Sequence, residues 1–126
     1  MKETKYTVKY TTSFKKDYKR AIKRGLKIEL LEQVVALLSM GEPLPDKNRD
    51  HDLSGDWAGH RKCHILPDWL LVYRIEDDVL VLTLARTGTQ RLVRQIKKRG
   101  ALKMPQTIVN KKNSYFLITP LITSAI

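Results

Sequence analysis

Apolar and polar positions alternate at the start of the chain and then fall into helical spacing. Tyr6, Val8 and Tyr10 alternate with Thr7 and Lys9, which predicts a half-buried strand. Ser13 reads as an N-cap for a helix whose apolar members Phe14, Tyr18, Ala21 and Ile22 recur at 3.6-residue spacing, and Gly25 ends it. A second helix is expected from about Leu26 to Met40. There Leu31, Val34, Val35 and Leu38, with Leu30 and Leu37 beside them, make one apolar stripe that stops at Gly41. Pro43 and Pro45 open a polar loop, Asp46 to Gly59, too punctuated for regular structure. Three strands follow, at about Arg61 to Leu66, Trp69 to Ile75 and Val79 to Thr87, with turns at Pro67-Asp68 and Glu76-Asp77-Asp78. Strand, helical hairpin and three-stranded meander predict an α+β fold with both helices on one face of an antiparallel sheet. Beyond Thr89 no period is sustained, so residues 90–126 are expected to be a poorly ordered or loosely attached tail.

At 126 residues and 42% hydrophobic, the chain fits one small domain. The longest apolar stretch, Ile65 to Tyr73, is broken by Pro67 and Asp68 and falls short of the roughly 20 residues a bilayer span needs. No apolar leader follows Met1, so a soluble, cytoplasmic protein is expected. Cys63 is alone, which excludes an internal disulfide and a cysteine-rich metal site.

Charge changes the picture more. The net charge is +11, and residues 91–126 contribute +8 of it without a single acid. Elsewhere the basic residues concentrate in Lys15, Lys16, Lys19, Arg20, Lys23, Arg24 and Lys27, a basic helix face. Such a face attracts nucleic acid through phosphate contacts and counterion release. It is equally the ordinary appearance of a solvated helix.

The histidines, His51, His60 and His64, fall within fourteen positions. In a meander the end of one strand lies near the start of the next, so His64, Asp68 and the loop carrying His51 can converge, with Arg86 joining if the register permits. Cleaving RNA through its own 2′-hydroxyl needs a base, an acid for the leaving 5′-oxygen and a cation for the phosphorane charge. Histidine and carboxylate suit the first two tasks, and the planar guanidinium suits the third. The plainer reading makes His64 a strand residue, Asp68 a turn residue, Trp69 a core aromatic and Arg86 an ion-pair partner. A zinc site is disfavoured because residues four apart on a strand are separated by roughly 13 Å.

The runs His51-Asp52-Leu53-Ser54-Gly55, Trp57-Ala58-Gly59-His60-Arg61, His64 through Tyr73 and Ala85-Arg86-Thr87-Gly88-Thr89 closely resemble the YafQ toxins of the RelE superfamily. The resemblance spans about residues 5–89. It implies a RelE-like α+β ribonuclease domain over residues 1–89 that enters the ribosomal A site and cuts translated mRNA without metal or cofactor. It also implies a cognate, DinJ-like antitoxin, held in a hetero-oligomer, and no membrane partner. Acid–base roles fall to His51, His64 and Asp68, and phosphate stabilisation to Arg86. Trp69 is implied to support substrate or pocket. Lys15, Lys16, Lys19, Arg20 and Lys23 are implied to face mRNA or ribosomal RNA.

One departure stands out. The family places a catalytic histidine two residues after the glycine of Arg-Thr-Gly, where this chain has Gln90. Codons for the family-like ending His-Ser-Asp-Leu-Phe, read from their third base, give Gln-Arg-Leu-Val and the start of an arginine codon, which matches Gln90 to Arg94. Residues 90–126 are therefore expected to derive from a frameshift, with an authentic basic extension as the alternative. Two rival functions remain open: a catalytically impaired remnant that keeps antitoxin binding and corepression, and a general basic RNA-binding module.

Overall fold

The computed structural model describes residues 4–98. Five strands and three helices alternate in the order β1 (Thr7–Tyr10), α1 (Thr12–Lys23), α2 (Ile28–Ser39), β2 (His51–Asp52), β3 (Arg61–Leu66), β4 (Trp69–Glu76), β5 (Val81–Gly88) and α3 (Gln90–Lys98). The sheet runs β1-β5-β4-β3-β2. The meander and the helical hairpin are as expected, but the sheet is mixed rather than antiparallel: β1 runs parallel to β5, Thr7 opposite Val81 and Tyr10 opposite Leu84. The hairpin of α1 and α2 carries the chain from that edge to the other, where β2 begins.

Thr11, not Ser13, caps α1. Its backbone N–H donates to the Leu84 carbonyl of β5, its backbone is extended, and its hydroxyl oxygen accepts the Phe14 N–H at 3.0 Å while donating to the Ala85 carbonyl at 2.7 Å. One buried side chain thus fixes where β1 ends, where α1 starts and how both sit on β5. Gly25 (φ +76°) and Gly41 (φ +75°) end the two helices as expected, each in a left-handed turn. In both, the glycine N–H returns to the carbonyl three residues back and the next N–H to the one five back (Leu26 to Ala21, Glu42 to Leu37). The second helix starts at Ile28, two residues later than expected, because that turn consumes Leu26 and Lys27.

The loop expected to lack regular structure holds two 3₁₀ turns, Asp46–Asn48 and Gly55–Trp57, and the short edge strand β2. Two residues are too few to show an alternation, so periodicity could not reveal that strand.

Central strand β4 is buried from Trp69 through Tyr73, which explains its unbroken apolar run. Its two sides feed different cores. Trp69, Leu71 and Tyr73 join Phe14, Leu31, Val35, Cys63 and Leu84 beneath α1 and α2. Leu70 and Val72 join Leu53, Trp57, Ala85 and Val93 on the opposite face. Residues 90–98, assigned from sequence to the loose tail, form α3, and its Val93 is buried in that second cluster. The stretch is amphipathic in its own right, with Leu92, Val93 and Ile96 at helical spacing in the sequence, and the apolar patch on the sheet receives it. The remainder of the tail lies outside the described residues.

Candidate active site

The register gathers His51 and His64 on the α3 face and places the Arg86 backbone in the same row, while the Arg86 guanidinium turns to Asp17 of α1 on the other face. His51 pairs with Lys62, Lys62 with Val72, and Val72 with Arg86, so these four form one row across β2, β3, β4 and β5. His64 opens the next row on the same face, opposite Leu70 and then Gly88. Neighbouring strands lie about 4.8 Å apart, so His51 and His64 are near neighbours while Arg86 lies roughly 10 Å of sheet from β3. Val93 packs with Leu70, Val72 and Ala85, so α3 covers the middle of the row. An extra residue, Ala85, bulges β5 between the Val72–Arg86 and Tyr73–Leu84 pairs.

Both histidines are tethered through the same atom. His51 Nδ1 lies 2.8 Å from the Arg49 carbonyl and His64 Nδ1 lies 3.2 Å from the Pro67 carbonyl. A carbonyl only accepts, so each neutral ring carries its proton on Nδ1 and has Nε2 as the unprotonated nitrogen. The Arg49 carbonyl faces His51 because Arg49 closes the preceding 3₁₀ turn in the left-handed region, at φ 48° and ψ 45°. Arg61 braces the same strand. Its guanidinium binds Asp50 through Nε and Nη2 (2.9 Å) and Asp52 through Nη1, the two residues flanking His51. Asp50 also accepts the Tyr73 hydroxyl, and burial together with that carboxylate pushes the phenol well up. The buried Asn48 amide donates to the His64 carbonyl at 2.7 Å and locks the loop to β3.

Asp68 is exposed in the β3–β4 turn, and its Oδ1 accepts the Gln90 backbone N–H at 3.1 Å. Thr89 caps the same helix by accepting the Leu92 N–H at 3.1 Å. A carboxylate at a helix N-terminus is favoured by the helix dipole, so Asp68 anchors α3 beside His64. Gln90 and His64 line one cleft of about 490 Å³ with Leu30, Lys47, Asn48 and Arg49. Two basic residues of that cleft, Lys47 and Arg49, escaped the sequence reading because they lie in a loop without periodicity.

Trp69 borders the small pocket at the end of β5 with Thr87, Gly88 and Thr89. It is 2% exposed and belongs to the main core, its indole N–H donating to Thr87 Oγ1 at 3.0 Å. Of the basic helix, Lys16, Lys19, Arg20 and Lys23 are exposed and Lys15 is half-buried. All five sit on the helix packed under the other face of the sheet, away from the histidines. Arg20 and Arg24 reach the end of β5, where they border a small pocket with Thr87, Gly88 and Thr89.

Arg86 turns toward that helix too. Its Nε and Nη2 donate to Asp17 Oδ2 and Oδ1 at 2.7 and 3.1 Å. Asp17 was missed from sequence. Its one signal is that it is an acid among the lysines and arginines of α1.

His60 is buried against the Trp57 ring, the ring centres 5.2 Å apart and perpendicular, and its Nδ1 has no hydrogen-bond partner among the described residues. Burial, helped by the Arg74 charge and opposed by the Ala58 backbone, lowers its pKa from the usual 6.5. The unfolded chain therefore takes up a proton before the native one does. Stability is full above about pH 6.5 and falls as the pH drops toward the native pKa. Urea midpoints measured from pH 7.5 to 5 should show this slope, and His60→Phe should flatten it. Among the described residues no group of three His, Cys, Asp or Glu side chains is placed to hold a metal ion, and no helix is long and apolar enough to cross a membrane.

A mixed five-stranded sheet with a helical hairpin on one face and tethered imidazoles on the other defines a small, RelE-like α+β protein. The chain belongs to the YafQ family, bacterial toxins of type II toxin–antitoxin systems, whose family model matches residues 6–94. It is 47% identical over 47 residues to the mRNA interferase toxin YafQ of Escherichia coli K12, a match covering 37% of this chain and 49% of that protein. The chain thus spans about half the length of the curated relatives it matches. The crystal structure of YafQ from E. coli BL21(DE3) superposes with a TM-score of 0.66 at 37% identity, covering 70% of this chain and 97% of that one. YafQ in the E. coli DinJ–YafQ toxin–antitoxin complex gives 0.66 at 36% identity, covering 71% and 97%.

Proposed function

We propose that this chain is an endoribonuclease toxin that cleaves translated mRNA on the ribosome. The observation that carries the reading is the pair of histidines on neighbouring strands of one sheet face, each tethered through Nδ1 to a carbonyl. Among His51, His64 and Asp68, one group takes the proton of the 2′-hydroxyl. The 2′-oxygen attacks phosphorus, the bond from phosphorus to the 5′-oxygen breaks, and a second group of the three protonates that oxygen. The products are a cyclic phosphate and a 5′-hydroxyl. Arg86 stabilises the charge that gathers on the phosphate oxygens. The exposed lysines of α1 hold RNA flanking the cut, and a DinJ-like antitoxin masks the site.

Primer extension on mRNA incubated with programmed ribosomes and the purified chain tests this. New ribosome-dependent 5′ ends are expected, reduced about 100-fold in Arg86→Ala. A second reading, that of an impaired remnant retaining antitoxin binding, is favoured by Gln90 at the family's histidine position. It predicts no cuts from a folded chain that still binds antitoxin.

A further inference from the structure

Asp17 is the acid of an otherwise basic helix, yet it is 3% exposed. Its Oδ2 accepts both Arg86 Nε at 2.7 Å and the Thr87 backbone N–H at 3.1 Å. Its Oδ1 accepts Arg86 Nη2 at 3.1 Å and lies 3.5 Å from Arg20 Nη1. A carboxylate removed from water needs such partners to remain charged. The arrangement does more than neutralise it. Arg86 and Thr87 are adjacent on β5, so the Arg86 side chain, Asp17 and the Thr87 N–H close a ring that leaves the guanidinium little freedom to rotate.

A guanidinium has two hydrogen-bonding edges, each able to hold two oxygens. Asp17 occupies the edge formed by Nε and Nη2. Among the described residues Nη1 engages no partner, and the side chain keeps 17% of its surface exposed. We propose that Asp17 is the positioning residue of Arg86, fixing one guanidinium edge so that the other, Nη1 with Nη2, meets the phosphate being cleaved. This inference rests on the ribonuclease reading above. Because Asp17 touches Arg86 and not the RNA, it acts on the rate of the cut rather than on mRNA affinity.

Single-turnover cutting and mRNA affinity are measured for the parent chain, Asp17→Asn, Arg86→Ala and the double variant. Asp17→Asn should slow cutting about 100-fold, the scale of a misplaced catalytic group, with affinity unchanged. Added to Arg86→Ala it should cost nothing further, since there is no guanidinium left to position. Equal losses from Asp17→Asn in both backgrounds would show that the residue serves only the fold and overturn the proposal. A second readout does not depend on cutting or on the variant folding. In the nitrogen-15-labelled full chain, the Arg86 Nε–H resonance should exchange slowly with water and the guanidinium signals should shift as inorganic phosphate is added. A fast-exchanging Nε–H, or no response to phosphate, counts against the proposal. If neither the parent nor Gln90→His cuts mRNA, the ribonuclease reading fails by itself, and the phosphate titration still decides whether Asp17 presents Arg86 to an anion.

Discussion

Gln90→His in the full chain should raise the rate of ribosome-dependent mRNA cutting about 1,000-fold, the usual contribution of one positioned acid or base. The backbone supports the expectation. Residue 90 is the first of α3, its N–H is held by Asp68, and it shares the cleft with His64. A glutamine amide at that place can donate or accept a hydrogen bond but cannot exchange a proton near neutral pH, whereas an imidazole can do both. Primer extension with equal amounts of the two chains measures the difference. A large gain would make the present chain an impaired toxin whose remaining groups are in working order. No gain from a folded Gln90→His chain would mean that this position has no part in the chemistry. The same residue begins the stretch we propose to be frameshift-derived. The nucleotide sequence tests that origin, because codons for Gln90 to Arg94 that do not read as the family ending one base out of frame would exclude it. The family match extends to residue 94, five residues past the boundary expected from sequence.

Trp69→Ala should destabilise the chain by about 3–5 kcal/mol, the range for removing a large aromatic from a packed core. Trp69 is 2% exposed, and its ring lies in the cluster joining α1 and α2 to the sheet. Its indole N–H donates to the Thr87 hydroxyl, which in turn donates to the Leu70 carbonyl at 2.7 Å. The truncation therefore empties a large volume and breaks a buried chain of hydrogen bonds beside Arg86. Urea unfolding followed by far-ultraviolet circular dichroism measures the loss. Trp69→Phe, which keeps an aromatic ring, should retain most of the stability and also the cutting. If Trp69→Phe instead abolished cutting at full stability, the indole would be in contact with substrate.

The sequence by itself determined the elements whose signal is local. Alternation marked β1, the apolar stripe marked α2, and Gly25 and Gly41 marked the helix ends, because each depends on side chains a few residues apart. Four ordered motifs also carried the family, since shared spacing survives without knowledge of contacts. Only the tertiary structure decided what depends on distant residues. Thr11 caps α1 because its hydroxyl also reaches Ala85. Two-residue β2 exists because β3 offers it an edge. Val93 of the amphipathic stretch 90–98 is buried because Leu70, Val72 and Ala85 offer it a sheet face. Asp17 and Arg86 are 69 positions apart, and nothing along the chain links them. Their pairing arises because β1 ends before β5 does, leaving the Thr87 N–H for an acid on the neighbouring helix to meet.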